Sequence, residues 1–378
     1  MKRNIIIGTN NFGLGPVGKV SSIVTGLSAE YNFFACGNAF DLNIFKDGIF
    51  KDMLFSKDEE KIVNFIKEHK INYAIVVLDV ELATILMNLN VKVIFVDSLP
   101  FMWTQADIDE GLLPLDATVY CAQKCCNLTD ASKKVLAQVK NLKWINPIQS
   151  KFKKIYRPYE EDYIHINVGG LHSPIGNGES YIKTVIIPLL KIFKSEKIII
   201  TCGTNAKISI LNELKNENID SRNIKVETLQ QKDFISSINN AKLFLTSPGL
   251  TTIYETESLH KPTIILPSQN LSQFYNIEYA KKVLDEYKII NWGTPKLNLD
   301  YLQSILPKGE TYVVDKIYEF ITELVNSNFE NKFIEQFNLI LKQDYKKKEK
   351  SDFKIEGNGV EDIRKILINL IEGEKNEI

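Results

Sequence analysis

Gly249, Thr251 and Glu255 stand at a spacing that could hold an anion at one end and a diol at the other. They belong to the run Thr246-Ser-Pro-Gly-Leu-Thr-Thr-Ile-Tyr-Glu255, which continues through His260-Lys-Pro-Thr-Ile-Ile-Leu-Pro267 to Gln273. Lys242 to Thr246 reads as an apolar strand, and Pro248-Gly249 as a sharp turn that uses glycine's backbone freedom. Thr251 or Thr252 can cap a helix with Ile253 and Leu259 on its inner side. Lys261-Pro262 stops that helix, and Thr263 to Leu266 is a second strand. A helix that starts at a turn after a parallel strand presents N–H groups and a positive dipole end, which together make an anion site. Glu255 lies roughly 9 Å along the helix from Gly249. That is about the span from a nucleotide's phosphate to its ribose hydroxyls, and a carboxylate is a suitable acceptor for a diol. An exposed helical glutamate is the plainer reading of the same residue.

Four other groups carry chemistry. Gly13-Leu-Gly15-Pro-Val-Gly18-Lys19 follows the first strand and opens a helix, and its spacing is that of the dinucleotide fingerprint GxGxxG. The acid that should end the second strand is missing there; Asp41 comes several residues late. Gly169-Gly170-Leu-His172-Ser-Pro174 follows the first strand of the second half, where His172 could bond a phosphate or cap the loop. Thr201-Cys-Gly203-Thr204 is another strand-end turn, lining a ligand pocket or simply joining strand to helix. Asp97 ends a buried strand and leads into Ser-Leu-Pro-Phe101-Met-Trp103. A carboxylate in that place suits a general base beside a flat acceptor stacked on Phe101 and Trp103, or an Asx-type turn. The histidines offer no rival base in the first half: His69 ends a surface helix, and His165, His172 and His260 fall in the second half. Asp79 and Asp97 remain, and Asp79 is explained as a helix cap, so Asp97 is the residue chosen.

The elements that must position these groups alternate. Asn4–Gly8, Tyr31–Cys36, Tyr73–Leu78, Lys92–Asp97 and Ala117–Cys121 read as strands apolar on both faces, with helical patterns near Gly18–Ser28, Asp58–His69 and Val80–Met87. Strand–helix alternation with doubly buried strands predicts a parallel sheet covered on both sides. A charged, aromatic run from Lys151 to Glu161 with Pro158 inside it is the linker. A second series follows: strands Tyr163–Val168, Lys197–Cys202, Ile224–Glu227, Lys242–Thr246 and Thr263–Leu266 alternate with helical patterns. The expected plan is α/β, with two Rossmann-like domains facing across a cleft. Residues 1–150 form the first, residues 160–345 the second, and residues 350–378 a helix that returns to the first.

The totals bound the function. At 378 residues the chain can bury two cores. Lys+Arg 46 against Asp+Glu 47 leaves none of the basic excess that a nucleic-acid partner would favour. No apolar run reaches the roughly 18 residues of a membrane span. The short apolar start reads as a strand rather than a signal peptide. Five cysteines, an odd number, suit a reduced cytoplasmic protein, with Cys121, Cys125 and Cys126 as buried hydrophobes lacking a fourth zinc ligand.

The Gly249–Glu255 run, the strand entered through His260-Lys-Pro262 and the Pro267–Gln273 loop resemble the donor-nucleotide motif of GT-B glycosyltransferases, in the MurG-like and UDP-glycosyltransferase group. The motif covers about thirty residues, and the domain layout resembles the family over nearly the whole chain. The resemblance implies that Ser247, Gly249 and Thr251 hold the donor diphosphate, Glu255 the ribose, and Gln269 with Gln273 the donor sugar. It implies that Gly169, Gly170 and His172 face the diphosphate, that Thr201 and Gly203 line the base or ribose pocket, and that Gly13, Gly15 and Gly18 hold acceptor or diphosphate, with Lys19 adding charge. His260 stands where the family usually has a small residue, the glutamine loop is slightly short, and the Gly13–Lys19 loop lacks the histidine many relatives carry. The Asp97–Trp103 stretch also resembles the cytosylglucuronate synthases, GT-B enzymes that join a sugar to a free pyrimidine. The expectation is a glycosyltransferase that moves a sugar from a nucleotide-diphosphate sugar, such as a UDP-sugar, to a small soluble acceptor such as a pyrimidine base. It needs no further cofactor and no metal, since no Asp-x-Asp clamp stands near the donor motif. Competing expectations are a sugar-nucleotide epimerase or hydrolase on the same fold, a nicotinamide-dependent oxidoreductase using Gly13–Gly18, and a non-catalytic nucleotide-sugar binder.

Overall fold

The computed structural model describes residues 2–10, 12–125, 128–149, 161–169, 171, 178–259, 261–283, 288–342 and 357–373. The chain divides into two compact units, one of Met1–Asn11, Pro16–Phe152 and Lys354–Ile378, the other of Phe12–Gly15 and Lys153–Phe353.

The first unit holds β1 (Arg3–Thr9), β2 (Tyr31–Cys36), β3 (Phe50–Leu54), β4 (Tyr73–Val77), β5 (Lys92–Asp97), β6 (Val119–Gln123) and β7 (Leu142–Ile145). They pair in the order β3-β2-β1-β4-β5-β6-β7, every neighbour parallel. Ile5, Ile6 and Ile7 of β1 point alternately to the two faces, and all are 0% exposed. Both faces are therefore covered, which is what a parallel sheet joined by helical crossovers requires. β3 and β7 are additions to the strands expected from sequence. Both are edges, and exposed Lys51, Asp52, Met53, Lys143 and Trp144 break the continuous apolar pattern by which buried strands are recognised.

The second unit holds β8 (Glu161–Gly169), β9 (Ile198–Cys202), β10 (Ile224–Glu227), β11 (Ala241–Thr246) and β12 (Thr263–Ile265). Their order is β10-β9-β8-β11-β12, again parallel throughout. In each sheet the first strand has its successor on one side and a later strand on the other. That reversal opens a crevice at the strands' carboxyl ends, between β1 and β4 in one unit and between β8 and β11 in the other. The fold is the expected α/β class with two Rossmann-like units.

Local chemistry fixes the helices that matter. Asp79 accepts from Leu82 N at 3.1 Å and starts the Val80–Asn88 helix. The helix after β8 contains a π turn, Ile182–Ile186, ahead of Pro188. Proline has no N–H to close the ordinary bond four residues back, and the Ile187 amide reaches Ile182 O instead. The Gly359–Gly373 helix belongs to the first unit, where Asp362 accepts from Asn146 N and Asn146 Nδ2, both at 2.8 Å. A Cβ on Gly359 would stand 2.3 Å from Asn146 O, so only glycine lets the helix start lie this close to the strand.

Candidate functional site

Two turns touch at the β8/β11 crevice. β8 breaks register with β9 between Asn167 and Gly169, and Gly169 turns the chain at φ +62°. That left-handed conformation is cheap only for glycine. A Cβ there would lie 3.6 Å from Ser247 Oγ on the neighbouring turn. In that second turn, Ser247-Pro248-Gly249, the Gly249 amide donates to Ser247 O at 2.7 Å. A bond across one residue is a γ-turn, and the fixed φ of Pro248 suits its inverse form. Gly249 is not among the positive-φ residues, which corrects the expectation that glycine's freedom makes this turn; proline makes it. A Cβ on Gly249 would meet only Thr252, at 3.5 Å, so the protein's own packing does not require glycine there.

Asn167 ties the turns together. Its Nδ2 donates to Thr246 Oγ1 at 3.0 Å, and its Oδ1 accepts from Gly169 N at 3.2 Å and from Thr201 Oγ1 at 3.3 Å. Its main-chain oxygen accepts from Ser247 N at 2.9 Å. Thr246 Oγ1 passes its proton to Ser247 O at 2.8 Å. Because Thr201 spends its proton on Asn167, His165 Nε2 must carry the hydrogen shared with Thr201 Oγ1 at 2.7 Å. His165 Nδ1 then accepts from Ser237 Oγ at 3.1 Å. Burial pulls the His165 pKa down to about 3, so the ring is neutral.

The other residues expected at this site are placed as follows. The Leu250–Leu259 helix begins directly after the γ-turn, with Ile253 N bonded to Gly249 O at 3.0 Å and Thr251 half-buried in its first turn. Glu255 is 2% exposed, and Gln231 Nε2 approaches its Oε1 at 3.4 Å. Ser247 is buried, and Gly203 N donates to Gly169 O at 3.1 Å. Thr201 is an internal member of the Asn167 network rather than an open pocket wall. Gln269 and Gln273 brace one loop: Gln269 N donates to Gln273 Oε1 at 2.8 Å and Gln269 Nε2 to Val168 O at 3.0 Å. Gly170, His172 and His260 lie outside the described residues, as do Cys126 and the expected linker up to residue 160. Sequence reasoning missed Asn167 and Asn276, whose Nδ2 donates to Pro248 O at 2.9 Å. A lone asparagine in a strand or helix carries no spacing signal; only the partner across the fold reveals it.

In the loop and helix start after β1, Gly13 takes φ +66°, while a Cβ on Gly15 or Gly18 would meet nothing within 4 Å. A dinucleotide fingerprint uses its third glycine for close helix–strand packing. Gly18 makes no such approach, which removes the packing reason for a nicotinamide site. Lys19 is buried. Phe101 is 0% exposed, which corrects its expected role as a stacking platform: the ring is core. Trp103 is half-buried, and its Nε1 donates to Asp97 Oδ2 at 2.8 Å. Tyr120 OH donates to the same oxygen at 2.8 Å, and Leu99 N to Oδ1 at 2.8 Å. Burial pushes the Asp97 pKa from 3.8 up to about 6, against the pull of these three donors. The carboxylate braces the Trp103 loop and turns no open face outward. A polar group unforeseen from sequence lies at the carboxyl ends of β1 to β4. Lys57 Nζ sits 2.8 Å from Asp79 Oδ1 and 2.6 Å from Glu81 Oε2, and Asn38 Nδ2 is 3.3 Å from Asp79 Oδ2. Beside it, Asn10 Nδ2 donates to the carbonyl of Leu78, a non-glycine residue at φ +57°. Among the described residues no cluster of His, Cys, Asp and Glu could hold a metal ion, and no helix is long and apolar enough to cross a membrane.

No protein-family model matches the chain, and no curated protein matches it. Solved structures do. The Methanocaldococcus jannaschii UDP-GlcNAc 2-epimerase, in complex with UDP-GlcNAc and UDP, aligns with TM-score 0.57 at 16% identity, covering 97% of this chain and 99% of that one. The S. aureus MnaA–UDP structure aligns with TM-score 0.52 at 13% identity, over 94% of this chain and 100% of that one. The Acinetobacter baumannii MurG aligns with TM-score 0.42 at 11% identity, over 90% and 100%. At these identities the first two likenesses establish the fold alone, over 97% and 94% of the chain.

Proposed function

We propose that this protein is a cytoplasmic glycosyltransferase that takes the sugar of a UDP-sugar and transfers it to a small soluble acceptor. One observation carries the reading: the γ-turn Ser247–Gly249 delivers the start of the Leu250–Leu259 helix to the β8/β11 crevice, with Glu255 further along the same helix. First-turn amides of a helix have no intrahelical acceptors, and the helix dipole adds to their pull on an anion. A diphosphate seated there has its leaving charge stabilised by backbone donors, without a cation. Glu255 binds the ribose diol, and Ser247, Gly249 and Thr251 line the phosphate end. The glycine at position 249, which packing does not demand, leaves room for the phosphate to approach the backbone. On the first unit, the Asn10, Asn38, Lys57 and Asp79 group sits where an open α/β sheet binds ligands and is the acceptor region.

A second reading has support from the fold comparison, in which the M. jannaschii protein is a UDP-GlcNAc 2-epimerase. The two separate cleanly. Incubation with a UDP-sugar panel, read by chromatography, should release UDP only when an acceptor such as a pyrimidine base or nucleoside is added. Conversion of UDP-GlcNAc to its 2-epimer with no acceptor present would replace the transferase reading with the epimerase one. Absence of UDP binding by calorimetry would remove both.

A further inference from the structure

We propose that Asn167 is a positioning residue that holds the two turns of the β8/β11 crevice in register, and through them the anion site; the inference rests on the nucleotide-diphosphate reading above. Each of its polar atoms is committed, and in one direction only. Oδ1 receives Gly169 N and Thr201 Oγ1, Nδ2 gives to Thr246 Oγ1, and the main-chain oxygen receives Ser247 N. Thr246 Oγ1 has already given its proton to Ser247 O, so only a donor can face it from Asn167. Asparagine supplies one acceptor and one donor on a short planar group, and this place uses both. The residue is 7% exposed, and its side chain reaches one strand on either side of β8. It thereby sets the spacing between the Gly169 turn and the γ-turn from which the Leu250–Leu259 helix departs.

The same geometry makes Asn167→Asp a test with a built-in reversal. A carboxylate at 167 keeps the acceptor toward Gly169 N and Thr201 Oγ1 but presents a second acceptor to Thr246 Oγ1. It also brings a negative charge to a site meant for an anion. Protonation restores the donor and removes the charge, so a neutral aspartic acid reproduces the asparagine. Burial and the facing oxygen of Thr246 both favour the protonated form. The titratable groups in the network are His165, neutral at every pH used, and Tyr163, whose OH donates to Ser237 O.

The experiment is calorimetric UDP binding to wild type and Asn167→Asp at matched pH from about 5 to 8, with the melting temperature of each sample. UDP itself titrates in this range, so the ratio of the two dissociation constants is the quantity read. The expected ratio is roughly tenfold or more at pH 8, shrinking toward one as pH falls. Thr246→Val, which is close to isosteric and uncharged, should also weaken UDP binding while the fold is retained. It answers for the clamp if the aspartate variant does not fold. Dissociation constants equal to wild type in either folded variant would overturn the positioning role and leave the donor site standing. A deficit in Asn167→Asp that is the same at every pH would also overturn it, since a purely structural lesion does not reverse. A wild-type protein that binds no UDP would overturn the donor-site reading and this inference together.

Discussion

Asp97 gives the most quantitative test of the geometry. Its carboxyl is fully buried, and burial lifts its pKa from 3.8 to about 6 even though Leu99 N, Trp103 Nε1 and Tyr120 OH all donate to it. The folded pKa exceeds the unfolded one, so between the two values the folded state holds the proton more tightly. Stability from this group is therefore present in full below about pH 4 and is lost as pH rises through about 6. At ~1.4 kcal/mol per pKa unit the loss from this one residue is about 3 kcal/mol between pH 4 and 7. An amide in its place has no such proton to lose. The Asp97→Asn protein should thus show an offset, from one amide hydrogen facing a donor, together with a flatter stability profile. Urea denaturation of both proteins at intervals from pH 4 to 7.5 reads the difference directly, because every other titrating group cancels. A difference that stays constant across that range would refute the claim that Asp97 is buried with a raised pKa. The same variant speaks to chemistry. A general base contributes roughly 10²–10⁴-fold, so near-normal turnover would confine Asp97 to bracing the Trp103 loop, whereas a loss of that size with normal donor binding would give it a catalytic part.

Three other outcomes are expected. Glu255→Ala should raise the UDP dissociation constant about tenfold or more, the cost of losing charged hydrogen bonds to a diol, with the melting temperature little changed; unchanged affinity by calorimetry would take the ribose away from Glu255. Gly359→Ala should lower stability by roughly 1–3 kcal/mol, because its Cβ would meet a main-chain oxygen 2.3 Å away and Ile148 Cγ1 at 2.7 Å; a variant that melts with wild type would mean the last helix is not seated there. Turnover should survive a chelator, since backbone amides and a helix dipole supply the leaving-group charge; complete loss restored by magnesium or manganese would reverse that account.

The class of fold was legible because doubly buried strands leave a mark that needs no partner to be seen. Ile5-Ile6-Ile7 and Tyr73–Val77 are apolar on consecutive residues, and only a sheet covered on both faces explains that. β3 and β7 escaped because an edge strand owes its existence to the hydrogen bonds of its neighbour, and Lys51-Asp52 or Lys143-Trp144 say nothing of that neighbour. The candidate site divides along the same line. The turn and helix of 247 to 255 could be located by spacing, since strand, proline, glycine and helix follow one another in sequence. What holds them could not. Asn167 acts across strands and Asn276 reaches from a helix to the Pro248 turn, and their value lies in whose carbonyl or hydroxyl they face. Phe101 went the opposite way: an aromatic after a strand end suits a pocket and suits a core equally, and exposure alone decides between them. A strand-end residue is thus read safely from sequence when its work is done by the backbone beside it, as at Pro248, and unsafely when its side chain has a choice of partners. That distinction places the proposed donor site on its firmest ground at the γ-turn and helix start of the second unit, and makes substitution in the first unit's Asn10, Asn38, Lys57 and Asp79 group the test of the proposed acceptor region.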